Sequence, residues 1–166
     1  MKIVGVKLED WAKDQKEVIE KDAFGRSAFN RYYYAAYLIT RHNLGELDSK
    51  WKTEKHKSIP NTLVTTVRKP VIKELEKQCK KGTITKSEQS SAMSSLKAAT
   101  NELSNMLTQA YDLRCIADYE PEISISTKDN ILLLKGYKLS TAREWPGKAN
   151  AYCKTIRKIW GIASLA

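Results

Sequence analysis

Asn30-Arg31-Tyr32-Tyr33-Tyr34-Ala35-Ala36-Tyr37 sets one arginine before a run of aromatic rings and small side chains. Tyr32, Ala35, Ala36 and Ile39 recur at the three- and four-residue spacing of one helix face, and Tyr33 and Tyr37 mark a neighbouring stripe. Alanines let another helix approach closely, while tyrosines fill volume but need a partner for each hydroxyl. The stretch is therefore predicted as a helix packed on others along a partly polar edge. Arg31 alone reads more simply as an ion-paired arginine at the rim of a core.

Working outward, the clearest periodicity lies further along. Ala92, Leu96, Ala99, Leu103, Met106, Ala110, Leu113 and Ala117 alternate spacings of four and three, and Thr85-Lys86-Ser87-Glu88 ahead of them has the form of a capping box. One long central helix is expected, with Arg114 and Asp118 four apart on its flank. Before the tyrosine segment, Leu8, Trp11, Val18 and Ile19 suggest a first amphipathic helix over 8–22. Gly25 to Ser27 reads as a brief break or the first turn of a second helix, which runs to about Arg41 and stops near Asn43-Leu44-Gly45. Ile59, Leu63, Val67, Val71 and Leu75 predict a helix that Pro70 kinks or splits. Near 123–134 either a short β-hairpin or an extended tether is expected, and a final helix follows a second capping-box pattern, Thr141-Ala142-Arg143-Glu144, interrupted early by Pro146-Gly147. The predicted fold class is all-α, a helical bundle of about five helices in a single domain over 1–166.

A chain of 166 residues can bury about two thirds of its unfolded surface in one core. Cys79, Cys115 and Cys153 are odd in number and form no C-x-x-C pair, so they read as reduced thiols rather than a disulfide or zinc framework. No apolar run reaches membrane-span length and the start is too soon charged for a signal peptide, so a cytoplasmic protein is expected. The formal charge of +10 attracts polyanions, RNA or DNA first, although surplus lysine also serves solubility alone. Phosphate-loop, dinucleotide, zincin and nucleophile-elbow motifs are all missing, and no metal or cofactor is expected. Within 45–58 periodicity vanishes: Lys50, Trp51, Lys52, Lys55, His56 and Lys57 form a basic stretch that suits phosphate and base contacts, or a solvated lysine run with Trp51 tucked onto the core. His42 beside Arg41 reads as a cation near a helix C-terminus.

Three groups of residues, Asn30 to Tyr37, His56-Lys57-Ser58-Ile59 and Arg114-Cys115-Ile116-Ala117-Asp118-Tyr119, occur in an order that resembles HEPN domains. These are small helical bundles of bacterial toxins, defence systems and RNA-processing proteins. The R-x4-6-H motif of HEPN ribonucleases is absent: Arg31, Arg41 and Arg114 meet no histidine at that spacing. The chain looks instead like the branch reading Arg-x-Tyr-Tyr-Ala, then His, then Arg-x-x-Ala-Asp-Tyr.

The resemblance implies an RNA-directed protein. In one form it is a metal-independent, toxin-like or phage-defence endoribonuclease, with His56 as acid or base, Arg31 and Arg114 holding phosphate, and Asp118 orienting Arg114 or His56. In the other it is a non-catalytic module that binds RNA or a nucleotide, or partners a nucleotidyltransferase or larger defence effector. Expected RNA-binding positions are Tyr34, Lys50, Trp51, Lys52, Lys55, Lys57 and Tyr119. The implied partners are tRNA or mRNA and a second copy in a homodimer. Asp118 and Tyr119 equally suit a buried polar network, and an accidental likeness would leave a basic helical bundle.

Overall fold

Thr85 and Glu88 start the longest helix as their spacing predicts. In the computed structural model, which describes residues 1–165, the Thr85 amide donates to the Glu88 carboxylate at 2.8 Å and the Glu88 amide donates to the Thr85 hydroxyl at 3.1 Å. Helix α5 (Lys86–Tyr119) then carries Leu96, Ala99, Leu103, Ala110, Leu113 and Ala117 buried along one stripe. The other helices are α1 (Lys2–Asp14), α2 (Val18–Leu47), the six-residue α3 (Ile59–Val64), α4 (Arg68–Lys80) and α6 (Leu139–Ile162), with one 3-10 turn at Ser49–Thr53. Strands β1 (Ser126–Lys128), β2 (Ile131–Leu134) and β3 (Tyr137–Lys138) form the only sheet among the described residues. The fold is all-α with a small antiparallel sheet, as expected. None of the described helices is long and apolar enough to cross a membrane.

The chain divides into two compact units. Unit 1 comprises Met1–Leu38 and Leu107–Lys148; unit 2 comprises Ile39–Met106 and the chain from Ala149 onward.

In unit 1 the expected helix over 8–22 is two elements. The chain turns extended at Gln15, and Val18 and Ile19 open α2 with 71% and 84% of their surface exposed. The buried face of α1 is Gly5, Glu9 and Ala12, which no apolar pattern reveals. Gly5 makes room for the Tyr32 ring, since a Cβ there would lie 2.7 Å from it. Glu9 accepts from the Tyr32 hydroxyl and the Lys13 ammonium, both at 2.7 Å. Gly25 interrupts nothing: α2 runs through it, and its missing Cβ admits Ile125, which would otherwise sit 2.9 Å away.

After α5 the chain forms the short hairpin expected there, β1 with β2, rather than a tether, and β3 extends it into a three-stranded meander. β2 pairs with β1 (Thr127 opposite Leu132) and with β3 (Leu133 opposite Lys138), both antiparallel. Asp129 and Asn130, then Lys135 and Gly136, take positive φ in the two tight turns, as two-residue hairpin loops require. α6 begins at Leu139, so Thr141 lies inside the helix and the second capping box does not form. The helix also continues past Pro146, which loses one backbone bond but is held in a buried setting beside Trp145.

In unit 2, α2 passes the expected stop at Asn43-Leu44-Gly45 and ends at Leu47, where the Asp48 amide donates to the Leu44 carbonyl at 3.0 Å. Gly45 is again a close approach, with Lys52 Cγ 2.6 Å from where a Cβ would be. Pro70 splits the third predicted helix: α3 ends at Val64 and α4 starts at Arg68, placing Pro70 in a first turn where its missing N–H has no role. Ile59, Leu63, Val67, Val71 and Leu75 are all buried, so the four-residue rhythm survives the break.

Candidate functional site

Unit 1 gathers four of the expected site residues. Arg114 and Asp118, one turn apart on α5, pair at 2.7 Å. Asp118 also accepts from Asn30 Nδ2 at 2.7 Å, so each carboxylate oxygen already holds a hydrogen bond. The Arg114 guanidinium lies over the rings of Tyr34 and Tyr119, 5.8 and 5.3 Å from their centroids, and Nη2 is 3.5 Å from the Tyr34 hydroxyl. Burial works against its charge, but the Tyr119 hydroxyl and the Asp118 carboxylate outweigh that and hold its pKa above the ordinary arginine value. Its Nε is buried without a hydrogen-bond partner among the described residues, leaving one donor of the fork unspent. Tyr119 is 69% exposed, so a ring backed by a cation faces solvent.

Behind this cluster sits an aromatic group that fixes α2. Tyr33 stacks on Tyr37 at 6.2 Å and meets Tyr34 and Tyr111 edge-on at 5.4 and 5.9 Å. Burial pushes the Tyr33 phenol well above its normal range, so it stays protonated.

Arg31 follows Asn30 on α2 and is exposed; its guanidinium lies 3.9 Å from the Met1 sulfur. A thioether is a weak acceptor, so this cation remains available to an anion from solvent. Unit 1 holds neither histidine of the chain. His56 belongs to unit 2, half-buried on the turn before α3.

The basic stretch of unit 2 is more ordered than its composition suggests. Asp48 caps the 3-10 turn through the Lys50 amide and pairs with its ammonium at 2.6 Å. Trp51 is 2% exposed and packs edge-on against Trp160 at 5.6 Å, so it cannot stack a base as expected without leaving the core. The tucked-back alternative is the one adopted, because an indole buried on a second indole gains far more than one left in water. Lys50, Lys52, Lys55 and Lys57 are exposed and supply positive charge along that segment.

Two polar anchors carry no motif and were missed. Arg26 donates to the carbonyls of Ile116, Ala117, Glu120, Pro121 and Ile123, closing the C-terminal end of α5, while Asp22 holds Arg26 at 2.7 Å and accepts the Ile125 amide at 2.6 Å. In unit 2, Arg68 bonds the Thr100 hydroxyl and Asn101 side chain at 2.6 Å each. Among the described residues no three His, Cys, Asp or Glu side chains gather as a metal site requires. Comparison with protein-family models, with curated proteins and with solved structures finds no match to this chain.

Proposed function

We propose that this protein is an RNA-binding helical module of the HEPN type, which holds RNA without cutting it. The observation that carries this reading is the Arg114 guanidinium clamped by Asp118 and laid over Tyr34 and the exposed ring of Tyr119. A fixed cation beside an open aromatic face suits a phosphate and the base next to it. Both Asp118 oxygens are engaged in holding Arg114 and Asn30, so this carboxylate suits recognition better than proton transfer. Arg31 and the exposed lysines 50, 52, 55 and 57 add the electrostatic attraction that a formal charge of +10 supplies. On the family resemblance, the module works as a homodimer, in the company of a nucleotidyltransferase or another defence effector, and its free cysteines suit the cytoplasm.

Incubation of a mixed tRNA pool with the protein in EDTA, alongside Arg31→Ala and His56→Ala, tests the choice between binding and cleavage. Retarded but intact RNA with the wild type is the expected result. Fragments made by the wild type and lost in both variants would replace this reading with the endoribonuclease, with His56 and Arg31 in its site.

A further inference from the structure

Between α4 and the first turns of α5, within unit 2, lies a cleft of about 510 Å³. Three cations line it, Arg68, Lys86 and Lys97, and no carboxylate does. Its apolar lining is Ile72, Met93 and Leu96, and the Ser90 and Ser94 hydroxyls and the Gln89 amide complete the wall. A second cleft of similar size, about 530 Å³, flanks the same stretch of α5 but contains Glu88 and only one cation, Lys158. Positive charge is thus concentrated in one of two comparable hollows.

Arg68 is the fixed member. Its Nε is held by Thr100 at 2.6 Å and its Nη2 by Asn101 at 2.6 Å and the Lys97 carbonyl at 3.1 Å. Among the described residues, Nη1 donates to no protein atom. A guanidinium immobilised through two nitrogens with the third left over is preorganised for an anion, because the entropy of placing it is already spent. Lys86 and Lys97, both exposed, can close on the same anion from the rim.

We propose that this cleft binds one nucleoside monophosphate unit, the phosphate between Arg68, Lys86 and Lys97 and the flat base over Met93 and Ile72. The size fits: small-molecule sites run from about 300 to 1,000 Å³ and are apolar with few placed polar groups. An inorganic anion alone would leave the apolar lining uncovered, and a neutral apolar ligand would leave three cations facing one another. The unit can be a free nucleotide or the 5′ end of an RNA strand. The site stands on unit 2 alone and is independent of the Arg114 cluster in unit 1.

Calorimetric titration of the full chain with AMP at about 150 mM NaCl tests it, since long-range attraction is screened there. Saturable binding is expected, with adenosine and inorganic phosphate each weaker by about tenfold or more. Lys86→Glu with Lys97→Glu should weaken AMP binding about tenfold or more, and Ser94→Trp, which fills the hollow without changing charge, should do the same. Lys128→Glu with Lys135→Glu controls for net charge and should leave binding unchanged. Displacement of AMP by a 5′-phosphorylated oligoribonucleotide but not by its 5′-hydroxyl twin assigns the chain end; displacement by neither assigns the free nucleotide. No saturable AMP binding, or equal affinity in the wild type, the reversed pair and Ser94→Trp, overturns the proposal. Inorganic phosphate binding as tightly as AMP overturns it too, because the base would then contribute nothing. Loss of RNA binding on altering Arg114 or Tyr119 would leave these titrations unaffected.

Discussion

At the scale of single residues, stability rests on polar atoms placed where sequence patterns expect carbon. Arg26 exposes only 11% of its side chain and spends it on the carbonyls that α5 leaves open, while Asp22 neutralises it. Arg26→Ala would orphan those acceptors and strand Asp22, a loss of about 2–4 kcal/mol in urea unfolding; a change below about 0.5 kcal/mol would mean water replaces it fully. Cys153 gives a second test. Burial pushes its thiol up to about 12, opposed by the Thr40 hydroxyl and the Arg157 charge. The folded protein therefore favours the neutral thiol: that contribution is complete below the unfolded thiol value, about 8.5, and is lost as pH rises from there towards 12. Alkylation of the native protein near pH 8 should modify half-buried Cys79 and Cys115 and spare Cys153. Comparable labelling of all three would contradict this.

At the scale of elements, local capping chemistry was legible and close packing was not. Thr85 and Glu88 announced the start of α5 because both partners sit within four residues. Gly25 and Gly45 looked like helix breaks because a glycine carries no sign of what approaches it, Ile125 in one case and Lys52 in the other. Glu9 hid the buried face of α1 for a similar reason: its partners Lys13 and Tyr32 make a carboxylate behave as core. Opposite outcomes follow for two glycines in helices. Gly25→Ala forces a Cβ to 2.9 Å from Ile125 and should lower Tm, whereas Gly147, with nothing within 4 Å, should gain about 0.5–1 kcal/mol as alanine. A stabilising Gly25→Ala would show that Ile125 has room to move.

For the whole molecule, composition raises the expectation of a polyanionic partner and gives none of the contacts that would hold one. The all-α class followed from periodicity, since stripes at spacings of three and four run through most of the chain. Arg114 and Asp118 were legible as a pair because one helix carries both, and Asn30 and Tyr34 joined them only through tertiary packing, which no spacing encodes. Trp51 was ambiguous in sequence for the same reason: whether an indole in a lysine run meets a base or Trp160 depends on where distant residues fold. The charge of +10 predicts RNA affinity that falls steeply with salt whatever the details of the site. What distinguishes a built site from general attraction is the exposed ring over Arg114. Fluorescence anisotropy of a labelled single-stranded RNA, titrated with wild type and with Tyr119→Ala at one salt concentration, measures it directly. Tyr119 is 69% exposed, so its removal spares the fold. Stacking predicts a loss of about 1–3 kcal/mol, roughly five- to 160-fold in affinity; superimposable isotherms, or no binding by the wild type, would contradict the assignment of this cluster to RNA.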